Sequence, residues 1–218
     1  IGFDLWPYYE KYARTVQLKY ACTSAVYNYL GGLYSFKREY SNAKELLNFT
    51  IEEKTYFDYD EVILQKAWIE SMLNNAEEAL RIFEDEFPEV VSDSILNTPI
   101  DESIALNIPY YIRFLRGAGQ ATKADQYANV FCDYFEKSIK QDPFIQNYIK
   151  YDMAMDCLYC SMQKEEFLAG LEEMYFAKKD RMDWFAKMKS GQYILFENDH
   201  EYQKLFKKIE AEVHRQRA

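Results

Sequence analysis

At 218 residues, with 49% apolar and 28% charged side chains, the chain has ordinary soluble-protein composition and enough material for a substantial core, which argues against disorder. Only 7 Gly and 5 Pro supply too few tight turns for an all-β protein, so the composition predicts an all-α fold. A formal net charge of −10 argues against nucleic acid or an anionic membrane as the partner, since both need a basic surface.

Pro7 opens a first helix running to about Leu30, with proline at a tolerated first-turn position. Towards its end Tyr27, Leu30, Gly31 and Tyr34, followed by Ala43 and Leu47, fall on the spacing W-x2-L-G-x2-Y and A-x3-F, with Tyr for Trp and Leu for Phe. This pattern resembles the tetratricopeptide repeat, where a small residue, here Gly31 facing Ala43, lets two antiparallel helices pack closely. The resemblance implies a right-handed superhelical stack of antiparallel helix hairpins, a tetratricopeptide-like α-solenoid with a C-terminal capping helix. Ser41 starts the second helix, which carries Ala43, Leu46, Leu47 and Ile51 on one face, so hairpin one spans about 7–56.

Hairpin two spans about 60–88, turning at Asn74-Asn75 and stopped by Pro88. It keeps Ala67, Ala79 and Phe83 but has Lys66 and Glu70 where the repeat motif has Leu and Tyr. The stretch from Val90 to Glu102, with Ser92, Asp93, Ser94, Asn97 and Pro99, reads as an irregular connection. Hairpin three spans 102–140 and turns at Gly117-Ala118-Gly119, with Pro109 bending the outgoing helix or marking its true start. Hairpin four spans 143–178 and turns at Met162-Gln163. Residues 180–218 form the cap, closed by a helix with Tyr202, Leu205, Phe206, Ile209 and Val213 at helical spacing. Together 1–218 read as one domain, and a chain opening at Ile1 reads as part of a longer protein.

The tail carries a second resemblance. Trp184, then Tyr193 to Tyr202, then the closing helix follow the order of a bacterial ending in which an Asp-Pro-x-Phe element precedes the last helix. Asp199-His200-Glu201-Tyr202 stands in that place without the Pro. The last third is thereby similar to the C-terminal tetratricopeptide regions of membrane-anchored winged-helix transcriptional regulators. That resemblance implies the sensory or interaction half of a larger regulator in the periplasm, with a DNA-binding domain upstream; without it the expected compartment is cytoplasmic. The basic residues Lys204, Lys207, Lys208, Arg215 and Arg217 are interspersed with Glu201, Glu210 and Glu212 and read as a solvated helix face, not a nucleic-acid site.

Four cysteines, Cys22, Cys132, Cys157 and Cys160, are too few and too scattered for a disulfide scaffold. Cys157 and Cys160, one helical turn apart, read as buried thiols, with a redox pair or disulfide as the alternative in an oxidising compartment. A metal site lacks a second Cys or His pair at ligand spacing. Only His200 and His214 are present, and no glycine-rich phosphate loop occurs, so the expectation is no catalytic residue, no metal, no cofactor and no enzyme. No stretch reaches the roughly 18 apolar residues of a membrane span.

Binding is the better reading, and the repeat register places it. Carried along the outgoing helices, it sends Asn28 and Phe36, then Trp68, then Arg113 and Arg116, then Asp152, Asp156 and Tyr159 toward a concave groove. Aromatic shelves beside a basic point suit a protein or peptide ligand bearing a carboxylate. The bland alternative makes Trp68 core and lets both arginines snorkel to water. The expected function is a protein-interaction or sensory module of a bacterial signalling or transcription-regulating protein. A self-associating scaffold, forming a homodimer, and a small-molecule sensor are the alternatives.

Overall fold

The computed structural model describes residues 38–52, 59–177, 185 and 187–217. Among them every regular element is helical and no strand occurs, as the composition predicts. The chain divides into two compact units, Ile1–Glu86 and Phe87–Ala218. The motif positions Tyr27, Leu30, Gly31 and Tyr34, the groove candidates Asn28 and Phe36, and Trp184 lie outside the described residues.

In the first unit, α1 (Tyr40–Glu52) packs on α2 (Tyr59–Met72), which forms a hairpin with α3 (Ala76–Glu86). Ala43 and Leu47 of α1 join Val62 and Ile69 of α2 in one apolar cluster, flanked by Tyr40, Leu46, Ile51, Trp68 and Leu73. Ala43 and Leu47 are thus buried against the next helix, while Gly31, which the motif sets against Ala43, lies outside the described residues. Ala67 and Ala79 are fully buried on the two arms of the second hairpin, where small side chains allow close helix approach.

The second unit holds α4 (Pro88–Val91), a 3-10 turn (Asp93–Leu96), α5 (Glu102–Gly117), α6 (Ala121–Tyr134), α7 (Asn147–Cys160), α8 (Lys164–Ala177), a 3-10 turn (Ile194–Phe196) and α9 (His200–Arg217). The stretch read as a connection thus contains α4 and a 3-10 turn. Phe135–Ile139 extends α6 as a π-helical turn. α5 and α6 pair as one hairpin, α7 and α8 as the next, and α5 also packs on α7.

Of two helix starts marked by a nearby proline, one agrees with the sequence expectation and one differs from it. α5 begins at Glu102 and runs through Pro109, because the Asp101 carboxylate accepts from Ile104 N–H at 3.0 Å and fixes the first turn earlier. α7 begins at Asn147, and the Lys150 ammonium donates to the carbonyls of Lys140 and Asp142, holding the segment around Pro143 in a non-helical path.

The three hairpin turns repeat one geometry. Asn74, Gly119 and Met162 each take a left-handed φ, of 62°, 74° and 58°. The following residue then donates its N–H five residues back: Asn75 to Glu70, Gln120 to Leu115 and Gln163 to Leu158, at 2.8–2.9 Å. This bond satisfies a carbonyl at each helix end and reverses the chain at once, so a hairpin follows. At Met162 a bulky residue carries the strained φ, since the turn needs the conformation and not the glycine.

The tail closes the second unit. Tyr202, Leu205, Ile209 and Val213 of α9 are buried, and α9 packs on α8. Asp199 caps α9 by accepting from the N–H groups of Glu201 (2.9 Å) and Tyr202 (3.2 Å), and it pairs with Lys164 of α8 at 2.8 Å. The Lys164 ammonium and these backbone donors hold the Asp199 carboxyl below its ordinary pKa. Among the described residues no helix is long and apolar enough to cross a membrane.

A disulfide links Cys132 on α6 to Cys157 on α7, with 5.3 Å between their Cα atoms, while Cys160 stays a buried thiol. Closing a loop of 25 residues' separation stabilises the fold by about 3.5 kcal/mol through lost unfolded-state entropy.

Candidate functional site

α5 packs on α7, and Arg113 and Arg116 mark the contact. The Arg113 guanidinium carbon lies 5.6 Å from the Tyr110 ring centre on its own helix and 5.7 Å from that of Tyr159 on α7. Tyr110 precedes Arg113 by one helical turn and is half-buried, so the cation is held between two aromatic faces.

Arg113 is only 5% exposed. Its buried Nε has no hydrogen-bond partner, and no carboxylate of the described residues forms an ion pair with it. Burial opposes the charge, but the Tyr159 and Tyr110 phenols, with Asp156 and Cys160, outweigh it and lift the guanidinium pKa above its ordinary value. Burial keeps Tyr159 and Cys160 protonated at neutral pH, so Asp156 is the carboxylate charge that offsets the cation.

Asp156, one turn before Tyr159 on α7, is half-buried. Desolvation pushes its carboxyl up to about 6, against the pull of Arg113 and Lys187 and with the help of Asp152. Asp152, one turn earlier, pairs with Lys187 at 3.0 Å. Burial also raises Tyr159, to about 12, and raises the Cys160 thiol further. The Tyr159 hydroxyl accepts from Leu195 N–H at 3.2 Å, and its ring packs against Phe167, Tyr193 and Phe196. Tyr159 thus joins the aromatic core on one side and meets Arg113 on the other.

Arg116, one turn beyond Arg113, behaves differently. It pairs with Asp125 of α6 and donates to the Cys160 carbonyl at the end of α7, both at 2.7 Å. It pins three helix ends together. Trp68 belongs to the first unit, half-buried in its apolar cluster with its ring edge-on to Tyr40 at 6.3 Å. Of the candidates read from the sequence, Arg113 meets Tyr159 across α5 and α7, Arg116 meets the end of α7, and Asp152 turns to Lys187. Tyr110 was visible in the same helical spacing; Lys187 sits 35 positions from Asp152 and gave no local signal.

Exposed apolar side chains occur on both helices: Leu106 of α5, two turns before Arg113, and Tyr148 and Tyr151 of α7, eight and five residues before Asp156, are 56%, 56% and 43% exposed.

A separate cleft lies between the 95–100 segment and α6. One part, about 350 Å³, is lined by Ile95, Leu96, Pro99, Val130, Tyr134 and Lys137. An adjoining part of about 740 Å³ is lined by Asn97, Gln126, Asn129, Asp133, Glu136 and the disulfide sulfur's residue Cys132. Among the described residues no group of three or more His, Cys, Asp or Glu gathers to hold a metal ion. Comparison with protein-family models, with curated proteins and with solved structures gives no match.

Proposed function

We propose that the chain is a non-enzymatic recognition module, a tetratricopeptide-like stack of helix hairpins whose α5/α7 face binds a protein or peptide segment through a carboxylate. The observation that carries this reading is the buried Arg113, which has aromatic walls and no ion-pair partner among the described residues. A buried cation with no direct ion pair is costly to keep, and a ligand carboxylate would add bidentate contact to the more distant charge of Asp156. The exposed Leu106, Tyr148 and Tyr151 supply apolar contact for the residues flanking that carboxylate. Three identically closed hairpin turns support the repeat architecture. In a longer regulator this face would serve as the sensory or interaction half, outside the cytoplasm if a membrane anchor precedes it.

The test uses a surface array of heptapeptides bearing free C-terminal or side-chain carboxylates, beside the same peptides amidated. The expected result is capture of a carboxylate-bearing subset by the native chain and loss of that capture in Arg113→Met. Equal capture of acids and amides, or capture that survives the substitution, would sink the proposal.

A second reading, self-association, draws on Phe144, 93% exposed just before α7. A solution mass that rises with concentration, and falls back to the monomer in Phe144→Ser, would favour it.

A further inference from the structure

We infer that the Cys132–Cys157 disulfide is a redox-addressable cross-link, opened by a dithiol reductant that enters the cleft beside α6, and that opening it releases α7. The inference stands on the sulfur geometry and not on the ligand reading above.

Access comes first. Both cysteines are half-buried, not sealed, and Cys132 lines the 740 Å³ part of the cleft, between Asn129 and Asp133. An attacking thiolate reaches Cys132 from that side, whereas Cys157 lies on α7 with Asp156 as its chain neighbour. Attack on an accessible sulfur is what separates a labile disulfide from a structural one.

The only other thiol among the described residues cannot substitute for an external reductant. Cys160 is fully buried, one turn from Cys157, and burial, the Asp156 carboxylate and the low polarity around it raise its pKa far above neutrality. With almost no thiolate at neutral pH it does not attack the bond three residues away.

The reaction balances with a dithiol. One thiolate of the reductant bonds to the Cys132 sulfur, the Cys132–Cys157 bond breaks, and Cys157 leaves as a thiolate that takes a proton from water. The second thiol then displaces Cys132 from the mixed disulfide and closes the reductant's own disulfide. Two electrons and two protons pass from the dithiol to the protein.

The consequence falls on α7. The chain between α6 and α7 is non-helical at 140–146, so the disulfide is the one covalent clamp between these helices apart from the backbone. Cys157 sits between Asp156 and Tyr159, and loosening it loosens both.

The experiment uses the full chain carrying Cys22→Ser, so that the thiol count is unambiguous. Dithiothreitol is added without denaturant, free thiols are alkylated and mapped by mass, and amide exchange is followed. Two further cysteines should become alkylated while far-UV helicity persists, and a monothiol such as cysteamine should be trapped on Cys132. Amides of α7 should exchange faster by up to about 400-fold, the size of the closure term for a loop this long. The Cys132→Ser/Cys157→Ser variant should show the same exchange without reductant. Asn97→Trp, which fills the cleft, should slow reduction on the order of tenfold by denying access. Reduction only at denaturant concentrations that unfold the chain, an adduct on Cys157 instead of Cys132, unchanged exchange in α7, or global loss of helicity would each overturn the inference.

Discussion

Two arginines one helical turn apart should respond oppositely to the same substitution. Arg113→Met removes a buried cation that has no ion pair among the described residues, and Met fills a similar volume with apolar atoms. Desolvating such an ion costs several kcal/mol. Against that stand two aromatic faces at 5.6 and 5.7 Å, together worth about 1–2 kcal/mol. Asp156 lies beyond ion-pair distance, which bounds its attraction below about 4 kcal/mol at the dielectric typical of protein sites. The expected net effect is between zero and a gain of about 2 kcal/mol, since replacing buried ionic groups by packed apolar ones is often neutral or stabilising. Arg116→Met instead strips the Asp125 pair and leaves the Cys160 carbonyl without that donor, a loss of about 2–3 kcal/mol. Urea denaturation of both variants at pH 6 reads the difference directly. At that size of chain each kcal/mol moves Tm by about 2–4 °C. If Arg113→Met destabilises the protein as much as Arg116→Met does, Arg113 is a structural residue and the argument that it is held in place for a ligand fails.

Asp156 gives a pH signature. Its folded carboxyl titrates at about 6 instead of 3.8, so the native state binds more protons than the unfolded chain between those values and stability falls as pH rises through that window. The full shift corresponds to at most about 3 kcal/mol. Asp156→Asn should therefore match the native protein at pH 3.5 and exceed it by about 1–3 kcal/mol at pH 7, and equal stability of the two at pH 7 would contradict the desolvation argument. In the first unit, Glu70 is 3% exposed and held by Lys44 at 2.7 Å and Asn75 at 2.8 Å. Lys44→Met should cost about 1–2 kcal/mol in chemical denaturation, because it leaves that carboxylate with one neutral donor. At Gly170 of α8 an added Cβ would come within 2.6 Å of the Met155 sulfur. The thioether can swing aside, so Gly170→Ala should stay within about 0.5 kcal/mol of the native protein, while Gly170→Leu should cost about 2–3 kcal/mol in a thermal melt.

The hairpins were legible because turns are local. Asn74 and Gly119 are residue types that accept a left-handed φ, and the apolar spacing on either side told the helices where to end. Helix starts were less legible where two local signals competed. Pro109 reads as a natural first-turn residue, yet the Asp101 cap wins, because a satisfied N-terminus seven residues earlier outweighs one missing N–H. Pro143 loses similarly to the Lys150 contacts, which only the folded loop can make.

The site shows the same division between direction and depth. Helical spacing sets the direction in which Arg113 and Asp156 leave their helices, since residues three and four apart share a face. It could not set how deep each would lie. Arg113 and Arg116 leave α5 one turn apart, yet one ends between two tyrosine rings and the other on a carbonyl and a carboxylate. The difference comes from which residues of α6 and α7 happen to stand opposite, and these are 9 to 46 positions away in the chain. The Cys132–Cys157 bond was illegible for the same reason: its partner is chosen by how α6 crosses α7, whereas the eye is drawn to Cys160, which shares a helix with Cys157. Sequence spacing reports the contacts a helix makes with itself. The α5/α7 face is built from contacts between helices, and so its chemistry emerges only once those helices are packed.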